Sequence, residues 1–114
     1  MIYETETNHK SAGIHAWAAY RNARLNSAIN ASRFTDAQRR RAEQVKLGLE
    51  MVYNAKEFFI EYRKTFITVK VNNPTVRDRK GLTLLETCYN NEGFEKCKTK
   101  QGFTYRLFKG DFVA

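Results

Sequence analysis

The chain is poor in the residues that most often build a catalytic or metal site. Its 114 residues include one proline, two cysteines and two histidines, and its glycines are scattered at positions 13, 48, 81, 93, 102 and 110. Glycines so placed form no phosphate-cradling loop, and the chain has neither a His-Glu-x-x-His helix nor a Gly-x-Ser-x-Gly elbow. His9, His15, Cys88 and Cys97 stand at spacings that fit no common zinc module, so neither metal nor cofactor is expected. No run approaches the ~18 apolar residues of a membrane-crossing helix. The N-terminal Met1-Ile2-Tyr3-Glu4-Thr5-Glu6 lacks the basic and apolar regions of a secretory signal. These absences predict a cytoplasmic protein without membrane contact, whose thiols are reduced.

Acid is scarce as well, and unevenly so. Twenty Lys and Arg face twelve Asp and Glu, giving a formal charge of +8. Between Ala12 and Ala42 stand Arg21, Arg24, Arg33, Arg39, Arg40 and Arg41, against the single acid Asp36. An excess of this size on a small body favours a polyanionic partner, either nucleic acid or an acidic protein surface. The bias to arginine matters, because a guanidinium fork grips a phosphate or carboxylate at two points where an ammonium acts as a point charge.

Length predicts a single domain over 1–114. Ile14, Trp17, Ala18, Arg21, Leu25, Ala28 and Ile29 recur at three- and four-residue spacing, which predicts an amphipathic helix over about 11–30. Thr35-Asp36-Ala37-Gln38 has the form of a capping box, with Phe34 placed as its staple. A long second helix is predicted from there to about Phe66. One stripe on it comprises Ala42, Val45, Leu49, Val52, Phe59 and Phe66, and another Leu47, Met51, Ala55, Phe58 and Tyr62. Gly48 inside that helix points to close helix–helix contact.

The polar stretch around Pro74 reads as a loop, and beyond it the chain reads as strand and turn. Phe66–Val71, Leu82–Asn90, Phe94–Thr99 and Phe103–Lys109 are the four predicted strands, and Met1–Thr5 is a candidate edge strand. Asn91-Glu92-Gly93 and Lys100-Gln101-Gly102 suit three-residue hairpin loops. The fold class expected is α+β: an antiparallel two-helix hairpin over about 11–66, packed on a four-stranded antiparallel sheet over about 66–110.

Those loops sort the strands into two faces. Leu85, Tyr89, Cys97, Phe103, Tyr105 and Leu107 form the expected core face. Phe94, Lys96, Lys98, Lys100, Arg106 and Phe108 form a basic aromatic face, of the kind that stacks bases. The candidate nucleic-acid contacts are therefore these six residues and the six arginines near the hairpin tip. Cys88 and Cys97 fall on opposite faces and should not pair.

Two other constellations read as structural. Glu57 and Glu61 lie one turn apart on the predicted helix with Lys64 beside them, as on a solvated face. Asp78-Arg79-Lys80 has the D-x-K spacing of metal-dependent nucleases but no second acid nearby.

The expected order of a strand, two helices and antiparallel strands resembles the RelE/ParE-type toxin fold, a resemblance of topology. It implies a metal-independent ribonuclease using Arg, Lys and Tyr side chains. The residues themselves point first to a non-catalytic nucleic-acid-binding protein. Second comes a protein–protein antagonist of a host machine, such as a mobile-element or phage accessory protein.

Overall fold

The computed structural model describes residues 25–109. Among the described residues the fold is α+β, with three helices, a four-stranded antiparallel sheet and a small two-stranded one. Helix α1 covers 25–31 of the described chain. After a short turn come α2 (Asp36–Val52), β1 (Tyr53–Asn54), β2 (Glu57–Tyr62), β3 (Ile67–Asn72) and β4 (Thr75–Val76). Helix α3 (Arg79–Asn91), β5 (Glu95–Lys98) and β6 (Gly102–Leu107) complete the order. The main sheet runs β2-β3-β6-β5, while β1 pairs with β4.

The α2 start is the one its sequence announces. The Thr35 hydroxyl accepts from the Gln38 N–H at 3.1 Å, and the Thr35 N–H donates to the Gln38 side chain at 2.9 Å. Two of the N–H groups that a helix end leaves unpaired are thereby satisfied. Ala42, Val45, Leu49 and Val52 are buried at helical spacing and face the sheet. Opposite them, Ile67, Val69 and Val71 of β3 lie beside Leu107, Tyr105 and Phe103 of β6 in one fully paired register. Burying each of these side chains contributes about 1.5–3 kcal/mol, so this layer holds the fold.

The second helix is shorter than predicted. It stops at Val52, the chain turns extended at Tyr53, and Glu57–Tyr62 is a strand. Phe58, Ile60 and Tyr62 fit a helical stripe, but they also alternate with Glu57, Phe59 and Glu61. Pairing to β3 over six residues selects the period of two. Phe59 therefore lies on the outer face, 38% exposed, and Leu47 and Met51 of the second stripe are exposed too.

Leu82–Asn90 is likewise not a strand but the body of α3. Asp78 caps it, its carboxylate accepting from the N–H groups of Lys80 and Gly81 at 3.0 and 3.2 Å. Leu82, Leu85 and Tyr89 turn inward at helical spacing. Gly93, at φ 84°, follows the end of this helix instead of closing a hairpin. The D-x-K tripeptide is a helix cap, and with α3 interposed the order that resembled the toxin fold is not the observed one.

The predicted first helix lies partly outside the described residues, as does the candidate strand Met1–Thr5. Within them, Leu25 and Ile29 are exposed. It is Ser27 and Asn30 that face the protein. The Ser27 hydroxyl accepts from the Tyr62 N–H, and the Asn30 amide donates to the Tyr62 carbonyl, at 2.9 and 3.2 Å. Two outward-facing backbone groups of Tyr62, on the edge strand β2, are thus paired by α1.

Candidate nucleic-acid interface

Two of the six predicted arginines, Arg21 and Arg24, lie outside the described residues. Two others have structural partners. Arg39 donates to the carbonyls of Ala31 and Phe34, where α1 ends, and pairs with Asp36. Arg41 forks onto the Glu92 carboxylate beyond α3 and lies over the rings of Tyr89 and Phe94, with centroids 5.6 and 5.8 Å away. The Glu92 hydrogen bond holds the Arg41 guanidinium even more firmly charged than usual, against the opposing cost of burial. Arg33 and Arg40 are exposed.

The predicted basic face is not assembled as one surface. The β5–β6 register places Lys96 opposite Tyr105 and Lys98 opposite Phe103, and Thr99 bonds Gly102 across a two-residue turn, Lys100-Gln101. That is a one-residue slip from the expected three-residue loop, so each face is exchanged along β5. Cys97 shares the outer face with Thr104 and Arg106, while Lys96 and Lys98 share the inner face with the core aromatics.

An inward lysine is tolerable because β5 is an edge strand and its stem can run along apolar surface to a polar partner. Lys96 does so, 4.6 Å from the Phe103 centroid, its ammonium 2.6 Å from Glu86 and 3.4 Å from the Tyr53 hydroxyl. Burial alone would lower its pKa, but the Glu86 and Tyr53 contacts outweigh it and the net direction is upward. Phe94 is 5% exposed and packs on Tyr89, while Phe108 is half-buried edge-on against Phe94. Neither ring offers an open face for stacking. Arg106 lies over Phe66 and faces Glu95 at 3.9 Å. Cys88 and Cys97 are free thiols, one on α3 and one on β5.

What the fold does assemble is a different basic surface. At the end of the sheet where α2 stops and α3 begins, three separate segments meet. The Lys56 N–H bonds the Asn72 carbonyl at 3.0 Å, Asn73 N–H the Gln101 carbonyl at 2.6 Å, and Arg77 N–H the Val52 carbonyl at 2.8 Å. These contacts bring Lys56, Arg77, Arg79, Lys80, Lys98 and Lys100 to one end, and all six are exposed. Gly102 permits the close approach of the turn, since a Cβ there would meet the Val71 carbonyl oxygen at 2.1 Å.

The same segments carry only two carboxylates, and both are engaged. Glu57 accepts from the Asn72 amide, and Asp78 caps α3. None of the six cations has an ion pair among the described residues. Arg77 donates to the Asn54 side chain, which leaves its charge unneutralised. Lys98 and Lys100 are the two members of the predicted set found here. The run Arg77-Asp78-Arg79-Lys80 was visible as charge, and reading Asp78 as an N-cap would have put its cations on a helix start.

A groove of about 970 Å³ follows the outer edge of β2, with Lys56, Glu57, Glu61 and Lys70 in its lining. Its charges are mixed, so it prefers neither sign of ligand. Burial pushes the hydroxyl of Tyr89 up to about 12 and those of Tyr105 and Tyr62 upward as well, which suits core phenols and not proton donors. Among the described residues no group of three or more His, Cys, Asp or Glu is arranged to hold a metal, and no helix is long and apolar enough to cross a membrane. No protein-family model, curated protein or solved structure matches the chain.

Proposed function

We propose that this is a small, non-catalytic nucleic-acid-binding protein of the cytoplasm, which holds phosphates with Lys56, Arg77, Arg79, Lys80, Lys98 and Lys100. One observation carries the proposal: six surface cations from three segments share one end of the fold with no ion pair among the described residues. Unpaired surface cations held together repel one another, and a polyanion relieves that repulsion while releasing its own counterions. The test is binding of short DNA and RNA, single- and double-stranded, between about 50 and 200 mM salt. Affinity should fall by orders of magnitude over that range if several phosphates are contacted. Weak binding that ignores salt would refute the proposal.

A second function has its own support. Leu47 and Met51 stand one turn apart on α2 and are 57% and 73% exposed, and Leu84 of α3 is 72% exposed. Between the two helices Gly48 lies against Leu85. Exposed apolar side chains on two packed helices favour a protein partner, as in an antagonist of a host machine. Absence of nucleic-acid binding, with substitution of Met51 and Leu84 to Asp leaving the fold intact but abolishing association with such a partner, would favour it.

A further inference from the structure

We infer that the polyanion is B-form duplex DNA, with α3 lying in its major groove. The inference rests on the phosphate-binding function proposed above and specifies its ligand. It starts from the exposed side of α3, which carries Arg79, Lys80, Thr83, Leu84, Thr87 and Asn91 and no acid. Every carboxylate on or next to the helix is turned to another task. Asp78 caps the N-terminus, Glu86 binds Lys96, and Glu92 binds Arg41.

The outward surface is therefore positive at its first turn and uncharged beyond it, polar apart from Leu84 and Cys88. Along about 20 Å of helix, this is a charge pattern complementary to phosphates at a groove's margin and to base edges within it. Lys98 and Lys100, on the edge strand and turn at the same end of the fold, supply cations for the flanking backbone. Threonine and asparagine meet base edges by hydrogen bonds, and an exposed leucine meets a thymine methyl.

The alternatives among nucleic acids fit less well. Single-strand binders need open aromatic rings, and among the described residues the exposed aromatic, Phe59, sits on the opposite face of the sheet under Lys70. Tyr53 and Phe103, the rings nearest the basic end, are each 5% exposed and buried under Lys96. Duplex RNA has a major groove too deep and narrow for side chains to read, whereas that of B-DNA admits a helix.

The test compares a 20-base-pair duplex DNA, the same sequence as duplex RNA, and its single strands, each titrated by fluorescence anisotropy against three folded proteins. These are the parent, Thr87→Glu, and the combined Arg79→Ala, Lys80→Ala, Lys98→Ala and Lys100→Ala variant. The parent should prefer duplex DNA over the others by about tenfold or more. Thr87 stands eight residues beyond Arg79, about 12 Å along the helix. A carboxylate there should weaken duplex-DNA binding by about tenfold while leaving the circular dichroism spectrum unchanged.

Equal affinity for the two duplexes overturns the inference, as does a Thr87→Glu variant that binds like the parent. If in either case the four-alanine variant no longer binds, phosphate recognition at the basic end stands and only the placement of α3 falls. If the four-alanine variant also binds like the parent, both fall.

Discussion

The two ends of the sheet both carry many cations and use most of them in opposite ways. Where α1 meets α2 and β2 turns into β3, Arg39, Arg41, Arg63, Arg106 and Lys109 each face a carboxylate, from Asp36, Glu92, Glu61 or Glu95, while Arg33, Arg40 and Lys64 have no ion pair among the described residues. Arg39 and Arg41 also tie separate elements together. At the far end, Lys56, Arg77, Arg79, Lys80, Lys98 and Lys100 have no such partners among the described residues. Charge density along the chain points to the first end, but charge left over after folding points to the second. A cation engaged by a neighbouring carboxylate holds the fold and has little left for a ligand.

The largest effect should come from the unpaired end. Replacing Arg79, Lys80, Lys98 and Lys100 together by Ala should lower affinity for duplex DNA by about a hundredfold or more, and the salt slope should shrink by about 0.9 for each phosphate no longer neutralised. The melting temperature should barely move, because exposed residues without partners contribute within about 0.5 kcal/mol. A large drop in stability would mean that this end, too, is structural, and the contrast would collapse.

At the paired end the outcome should reverse. Arg41→Ala removes the forked contact to Glu92 and the cover over Tyr89 and Phe94, and should cost about 1–2 kcal/mol of stability. Affinity measured on the folded fraction should stay within about twofold of the parent. Denaturant titration and binding at one salt concentration would together check both halves.

Midway between the ends, Gly48→Ala would place a Cβ 2.7 Å from the Tyr89 hydroxyl and 3.1 Å from Leu85. The gain in helix propensity, about 1 kcal/mol, is offset by displacing a hydroxyl that now donates to the Val45 carbonyl at 3.2 Å. A net loss of about 1 kcal/mol is expected by thermal unfolding. A stabilised variant would mean that the α2–α3 seam yields easily.

That glycine shows what was legible in the sequence and why. Features decided within one turn of chain were legible: the Thr35–Gln38 capping box, the close contact at Gly48, the buried stripe from Ala42 to Val52, and the alternation in β3. Features decided between distant segments were not. Phe58, Ile60 and Tyr62 satisfy a helical and a strand period alike, and only the partner strand Ile67–Asn72 resolves them. Leu82, Leu85 and Tyr89 were open to the same ambiguity until Asp78 is seen as a cap. The candidate site depends on these same choices. With 82–90 a helix and the β5 register slipped by one, Phe94 enters the core, Lys96 turns to Glu86, and six unpaired cations gather where no continuous run of sequence contains them.

The smallest expected effect concerns pH and belongs to the paired end. Tyr89 is 1% exposed, with Arg41 over its ring. Burial pushes its pKa from 10.0 up to about 12, Arg41 only partly opposing the shift. The folded protein therefore keeps the Tyr89 proton more tightly than the unfolded chain does. Below about pH 10 both states hold it, and its contribution to stability is complete. As pH rises from about 10 to about 12 the unfolded chain loses the proton first, and that contribution is progressively lost. Tyr89→Phe removes the hydroxyl and its bond to Val45, costing about 1 kcal/mol near neutrality. It also removes this alkaline loss, so the stability gap between parent and variant should narrow above pH 10. A gap that stays constant to pH 12 would mean that the phenol reaches solvent, and that Arg41 and Tyr89 do not seal the paired end as the contrast requires.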